Sequence, residues 1–224
     1  MKQIFKATDD AKCVEYRTIN GDESITCDRV MLATGRRPVI PAGADALNIT
    51  VERTGIVVGP SLQTNLKHIY AVGDVNGRTP LFHAAVRQSL VAAHNIMAGN
   101  VPTDYADFLN VPTTIFTVPE CAYVGIMPTQ AEKNGINLIE KQYKFSHDSR
   151  AQIYGEVGGS IHLFFECGST KLVGAYVVGI DAGYLIGQLG IACSKSLTAR
   201  DLAEFPDQHP MSSEGISAAA RSLL

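Results

Sequence analysis

Two apolar runs that stop at glycine set the frame for this chain. His68-Ile69-Tyr70-Ala71-Val72 ends at Gly73-Asp74-Val75, and after the turn Asn76-Gly77-Arg78 a helical pattern runs from Leu81 to Ala98. Thr79 is placed to cap that helix, Pro80 to open it and Gly99 to stop it. Leu81, Ala85, Ala92 and Ile96 recur at helical spacing and predict its buried face. A strand that delivers a turn and then a helix is the unit of an α/β fold, in which ligands gather at the carboxyl end of the strand. Upstream, Arg29-Val30-Met31-Leu32-Ala33-Thr34 runs into Gly35-Arg36-Arg37-Pro38 and predicts a second strand, buried on both faces.

The rest of the chain divides around these runs. Short strands are expected at Gln3–Ala7, Cys13–Thr18 and Ser24–Thr26, with Asn20-Gly21 as a hairpin turn in which both residues take positive φ. Pro38, Pro41 and Gly43 mark a loop. Gly99 to Val111, with Pro102 and Pro112 near its ends, forms a connection, and a domain boundary is expected there. Beyond it come strands near Thr113–Thr117, Cys121–Gly125, Asn137–Phe145, Ser160–Cys167 and Lys171–Gly179. A helix with a Thr129/Glu132 capping box is expected among them, ending at Gly135. Helices from about Ala182 to Ser196, after Thr198 with Asp201 nearby, and from about Ser213 with Ile216, Ala219, Ala220 and Leu223 inward complete an α+β domain.

Composition removes several function classes. A net charge of -3 with dispersed charges offers no basic stripe for nucleic acid, and no apolar segment is long enough for a membrane helix. The start, Met1-Lys2-Gln3-Ile4-Phe5-Lys6, has no signal-peptide core, and a cytoplasmic protein is expected. Cys13, Cys27, Cys121, Cys167 and Cys193 include no Cys-x-x-Cys or Cys-x4-Cys pair, so neither a local redox disulfide nor a zinc knuckle is encoded, and no metal is expected. Each cysteine is most simply a small core residue, Cys193 in Ile191-Ala192-Cys193 above all.

Three places carry chemistry. Asp74, at a strand end, can accept hydrogen bonds from a hydroxyl-rich ligand, and a helix opening at Pro80-Leu81-Phe82-His83 offers backbone N–H donors; a plain turn carboxylate fits equally. Gly35 permits close approach of a ligand, or simply a tight strand exit. His209, in Asp207-Gln208-His209-Pro210, is followed five positions on by Glu214 at the mouth of the last helix. A histidine beside a carboxylate can take and return a proton near neutral pH; alternatively Glu214 merely complements the helix N-terminus.

Several of these segments together resemble one family, the disulfide oxidoreductase flavoenzymes related to dihydrolipoamide dehydrogenase and glutathione reductase. Thr64 to Val75 resembles the family's second flavin motif, Ala33-Thr34-Gly35-Arg36-Arg37-Pro38 its passage from nicotinamide to flavin domain, and Val111 to Gly125 the start of its dimerisation domain. Lys171 to Gly179 is similar to that domain's central strand, and Thr198-Ala199-Arg200-Asp201-Leu202 precedes the histidine at the family's distance. The resemblance implies FAD contacts at Asp74, Pro80, Leu81, Phe82 and His83, nicotinamide approach at Gly35, and a His209–Glu214 acid–base pair that reaches a partner subunit's redox disulfide. Asp207 departs from the His-x-His-Pro found in many members, and Met211-Ser212-Ser213 is slightly nearer the glutathione reductase branch.

The implied architecture is an α+β dimerisation domain at 111–224, preceded by an incomplete α/β segment: terminal strands of an NAD(P)-binding domain at 1–34 and the C-terminal part of an FAD-binding domain at 35–110. Gly-x-Gly-x-x-Gly does not occur, and 35–110 is expected to expose apolar surface for want of sheet partners. The resemblance therefore implies the C-terminal portion of an FAD-dependent NAD(P)H:disulfide oxidoreductase, a homodimer through 111–224, inactive alone and without full FAD or NAD(P) binding. Its substrate would be a small-molecule or protein disulfide. A missing N-terminal half on a separate polypeptide, and a non-enzymatic dimerisation module, are the alternatives; the choice of NAD or NADP stays open, as does whether Met1 is a natural start.

Overall fold

The computed structural model describes residues 2–8 and 10–224; Met1 and Asp9, both inside the segment expected to hold terminal strands, lie outside them. The chain divides into two compact units, 1–37 and 38–224.

The first unit is a three-stranded antiparallel sheet of β1 (Gln3–Lys6), β2 (Lys12–Thr18) and β3 (Gly21–Cys27), in that order. The expected hairpin joins β2 to β3, with Thr18 opposite Gly21 and Ile19-Asn20 as the loop. Of Asn20 and Gly21, only Gly21 takes a positive φ, at 124°, so the glycine opens β3 and the turn itself needs no left-handed residue. The strand expected at Arg29–Thr34 does not form, and Met31 and Leu32 are 87% and 64% exposed. An apolar run becomes a buried strand only where neighbours complete its hydrogen-bond ladder, and none pairs with this one among the described residues.

In the second unit, residues 38–110 are built on loops around one helix. A two-stranded hairpin, β4 (Val51–Glu52) and β5 (Gly55–Ile56), is followed by a 3₁₀ turn over Gly73–Asn76 and by α1 (Phe82–Met97). The strand expected at His68–Val72 shrinks to a single bridge between Gln63 and Tyr70. The helix begins with Leu81 as N-cap, not Thr79, whose carbonyl accepts the Leu81 N–H at 2.8 Å. Its inward line is Ala84, Gln88, Val91, Ala92 and Asn95, while Ile96 is exposed.

Two buried amides explain that rotation from the apolar stripe. Gln88 Oε1 accepts from Gly73 N and Asn76 Nδ2, each at 2.8 Å. Asn95 donates to the carbonyls of Ser61 and Asp104 at 3.1 and 2.9 Å and accepts from Thr103 N and Asp104 N at 2.7 and 2.9 Å. Buried loop backbone must find partners, and here helix side chains supply them.

The remainder forms a five-stranded antiparallel sheet ordered β6 (Thr113–Ile115), β7 (Cys121–Gly125), β10 (Leu172–Val178), β9 (Ser160–Glu166), β8 (Leu138–Lys144). Around it lie α2 (Pro128–Lys133), α3 (Ser149–Tyr154), α4 (Ala182–Ser194), α5 (Ala199–Ala203) and α6 (Glu214–Arg221). Alternate residues Ala122 and Val124, Ala175 and Val177, Ile161, Leu163 and Phe165 meet Leu185, Ile186 and Leu189 of α4 and Ile216, Ala219 and Ala220 of α6 in one cluster. The Thr198/Asp201 capping box forms at α5. The one expected at Thr129/Glu132 does not, because Pro128 already occupies the first turn of α2 with Met127 as N-cap. Asp148, which caps α3 by accepting from Ala151 N at 2.9 Å, marks a helix that the apolar periodicity did not show. No helix among the described residues is long and apolar enough to cross a membrane.

Ile161, fully buried in the sheet core, sets a test. Ile161→Ala is expected to lower unfolding stability by about 2–5 kcal/mol, whereas Met31→Ser stays within about 0.5 kcal/mol; denaturant titration followed by circular dichroism checks both.

Candidate active site

The clearest chemical arrangement stands at the start of α6. Glu214 is the first residue of that helix, and His209 lies in the turn before it, joined to Pro210 by a cis peptide. His209 Nδ1 is 3.0 and 3.1 Å from the two Glu214 carboxylate oxygens. A carboxylate only accepts, so the bond places the proton on Nδ1 and leaves Nε2 as the basic nitrogen. The His209 side chain is 67% exposed, and among the described residues Nε2 has no partner. Glu214 Oε2 also accepts the Met211 N–H at 3.0 Å.

Partial burial works to raise the Glu214 carboxyl. The hydrogen bonds from His209 and Met211, with the charges of His209 and Arg221, outweigh it and hold the group below its ordinary value. Backbone packing fixes where the carboxylate sits. A Cβ at the next residue, Gly215, would lie 2.5 Å from Tyr143 Cδ1 and 2.7 Å from Ile161 Cδ1, so only glycine lets α6 start this close to β8 and β9.

The second group of expected residues lies on the other hydrophobic cluster of the same unit. Asp74 is exposed in the 3₁₀ turn, whose Gly73 and Asn76 are tied to Gln88. Leu81 opens α1 with no side-chain cap, which leaves first-turn N–H groups without a helical acceptor. Pro80 precedes it on the surface, Phe82 is 84% exposed, and His83 Nε2 lies 2.8 Å from the Pro112 carbonyl. Gly35, at φ 98°, belongs to the first unit, and nothing stands within 4 Å of where its Cβ would be. The structure thus brings His209 and Glu214 into contact, and Asp74 and residues 80–83 onto one turn–helix junction.

Sequence reasoning missed a set of polar residues behind the His209 turn. Arg150 Nε and Ser212 Oγ each donate to Asp181 Oδ2 at 3.0 Å, and the 183 N–H at the start of α4 donates to Glu120 Oε2 at 2.7 Å. An aspartate just before a helix was the available signal, but it points to capping, which Asp181 does not do. The five cysteines form no disulfide, and burial, with the nearby Asp107 charge, pushes the Cys193 thiol up to about 12. No group of three or more His, Cys, Asp or Glu among the described residues is placed to hold a metal ion.

Comparisons with known proteins agree with this architecture. Residues 111–220 match the model of the pyridine nucleotide-disulphide oxidoreductase dimerisation domain, and residues 1–89 match that of the pyridine nucleotide-disulphide oxidoreductases. The chain belongs to the pyridine nucleotide-disulphide oxidoreductase family. It is 31% identical over 223 residues to a dihydrolipoyl dehydrogenase of Buchnera aphidicola subsp. Schizaphis graminum, covering 98% of this chain and 46% of that protein. A dihydrolipoyl dehydrogenase of Thermus scotoductus is 34% identical over 203 residues, covering 90% of this chain and 43% of the relative. The chain therefore spans about half the length of the curated relatives it matches. Among solved structures, LpdA from Mycobacterium tuberculosis superposes with a TM-score of 0.86 at 23% identity, over 100% of this chain and 48% of that one. The HOCl-induced flavoprotein disulfide reductase RclA from Escherichia coli gives 0.78 at 20% identity, over 96% and 48%. At those identities the two structures speak for the fold.

Because the folded Glu214 carboxyl lies below its unfolded value, its stabilisation is present above the unfolded pKa of about 4.3 and is lost as pH falls through the lower folded value. Glu214→Gln should remove that part of the acid dependence. Denaturation midpoints measured from about pH 6 down to about pH 3 are expected to converge for the two proteins at the acid end; curves that stay parallel contradict it.

Proposed function

We propose that this chain supplies the acid–base pair and the dimer interface of an FAD-dependent NAD(P)H:disulfide oxidoreductase. The observation that carries the reading is the His209 imidazole, held at Nδ1 by both oxygens of Glu214 with Nε2 left to solvent. In thiol–disulfide exchange the thiolate attacks one sulfur of a disulfide, and the other sulfur departs as a second thiolate. His209 Nε2 takes the proton of the attacking thiol and returns it to the departing sulfur, while Glu214 stabilises the imidazolium between those steps. The thiols come from outside these 224 residues, since no Cys-x4-Cys pair is encoded and the Cys193 thiol is held protonated by burial.

The residues present fit one end of the flavin. The start of α1 at Leu81, Phe82 and His83, which has no side-chain cap, with Pro80 and Asp74 before it, would hold a ring and a hydroxyl-bearing chain: N–H donors and an exposed aromatic would serve the former, a carboxylate the latter. Gly35 would leave room for the nicotinamide. No glycine-rich fingerprint is encoded to cradle the dinucleotide phosphates, so FAD and NAD(P) are not fully bound by these residues alone. Bound FAD would supply the redox chemistry between NAD(P)H and the disulfide.

Exposed apolar residues on the helical side support a homodimer through 111–224. Tyr184 and Ile191 of α4 and Phe205 beyond α5 face solvent, and a groove of about 480 Å³ runs between Ile191, Leu202, Phe205 and Pro206.

The test is direct. The purified chain, supplied with FAD, NADH or NADPH and a small disulfide, is expected to sediment at twice the 24.0 kDa chain mass and to show no disulfide-dependent NAD(P)H oxidation. A monomer overturns the interface assignment, and turnover by the chain alone overturns the half-site reading.

A further inference from the structure

Asp181 holds the position from which an aspartate ordinarily caps its own helix. It precedes α4 with φ 57°, in the left-handed region, and makes no side-chain bond to that helix. The cap comes from the β6–β7 connection, where Glu120 Oε2 accepts the N–H of residue 183 at 2.7 Å. This leaves the Asp181 carboxylate for other partners. Its Oδ2 accepts from Arg150 Nε and from Ser212 Oγ, both at 3.0 Å. Arg150 also directs an N–H at Met211 Sδ, 3.6 Å away.

Met211 and Ser212 are the centre of the turn that joins His209 to Glu214. Ser212 is buried, and the Met211 N–H donates to Glu214 Oε2 at 3.0 Å. Beside the turn an open pocket of about 400 Å³ is lined by Arg150, Asp181, Tyr184, Gln188, Met211 and Ser212. A continuous path therefore runs from Asp181 through Ser212 and Met211 to Glu214 and the imidazole. A non-glycine residue held in the left-handed region is retained where the surroundings fix it, and here it aims the carboxylate at the turn.

We propose that Asp181 is a positioning residue for the acid–base pair: by holding Ser212 and Arg150 it sets the turn that keeps Glu214 on His209 Nδ1 and Nε2 outward. The proposal rests on the reading of His209 and Glu214 as the acid–base pair and names what holds that pair in register. Asp181 makes no bond to His209 or Glu214 among the described residues. It acts through the turn, so its effect is read on the imidazole itself.

The imidazole ¹⁵N shifts of the full chain report which ring nitrogen of neutral His209 carries the proton, with His209→Gln assigning the signal among the six histidines. The native chain is expected to show the Nδ1–H form. Asp181→Asn, Ser212→Ala and the control Glu214→Ala, which removes the acceptor of the Nδ1–H bond, are each expected to lose it in favour of Nε2–H, with the backbone amide spectrum of the sheet retained. If Asp181→Asn fails to fold, Ser212→Ala decides, because it deletes a single hydroxyl from the same contact. Loss of the Nδ1–H form only in Glu214→Ala overturns the role of Asp181 and leaves the pair intact. Retention of that form in Glu214→Ala overturns the pair, and the positioning role with it.

Discussion

Burial of one face of the five-stranded sheet beneath α4 and α6 is the constraint on which the other features of residues 111–224 depend. Ile161, Leu163 and Phe165 of β9 and Ala175 and Val177 of β10 form the floor, and the two helices close it. Each fully buried side chain of this size contributes roughly 1.5–3 kcal/mol, so the registers of β9 and β10 are firmly set: a slip by one residue would turn the whole apolar set outward. Function follows from that floor. The contact of residue 215 with Tyr143 and Ile161 fixes the first turn of α6, and with it the Glu214 carboxylate. The end of β10 leads to Asp181, whose carboxylate accepts from Ser212 on the other side of the His209 turn.

Residues 38–110 are stabilised differently. Their cluster of Ile56, Val58, Leu62, Ala71, Val91 and Ala92 is smaller, and the amides of Gln88 and Asn95 bind loop backbone where a parallel sheet would otherwise do so. Arg29–Thr34 and His68–Val72 have the composition of central strands, yet among the described residues the first has no ladder partner and the second only the single bridge of Tyr70 to Gln63. The same geometry leaves the start of α1 uncapped and Phe82 exposed, the features that suit a flat ligand.

What could be read from the sequence follows the range of the interaction concerned. β7 was legible to the residue at Cys121–Gly125 because its alternation is local. The Thr198/Asp201 box was legible for the same reason, whereas Thr129/Glu132 lost to Pro128, one residue earlier. Burial of Arg29–Thr34 and the inward face of α1 depended on partners that no local pattern encodes. Likewise His209 and Glu214, five positions apart, could be paired by inspection, while Arg150, Asp181 and Ser212 lie 31 positions apart at each step and meet only in the fold. The flavin and nicotinamide roles of Asp74, Pro80–His83 and Gly35 rest on resemblance, and they join the structure only as a turn–helix junction of suitable chemistry.

The account assigns to this chain the proton-transfer half of an active site whose flavin phosphates and thiols are held elsewhere. The most direct measurement is rapid-reaction kinetics of a flavin-loaded assembly of this chain with a polypeptide that bears a redox cysteine pair, comparing the native chain with His209→Gln. The account predicts that NAD(P)H reduces the flavin at the same rate in both, while disulfide reduction slows by about 10²–10⁴-fold in the variant, the range of general acid–base catalysis. Equal rates of disulfide reduction in the two assemblies would contradict it.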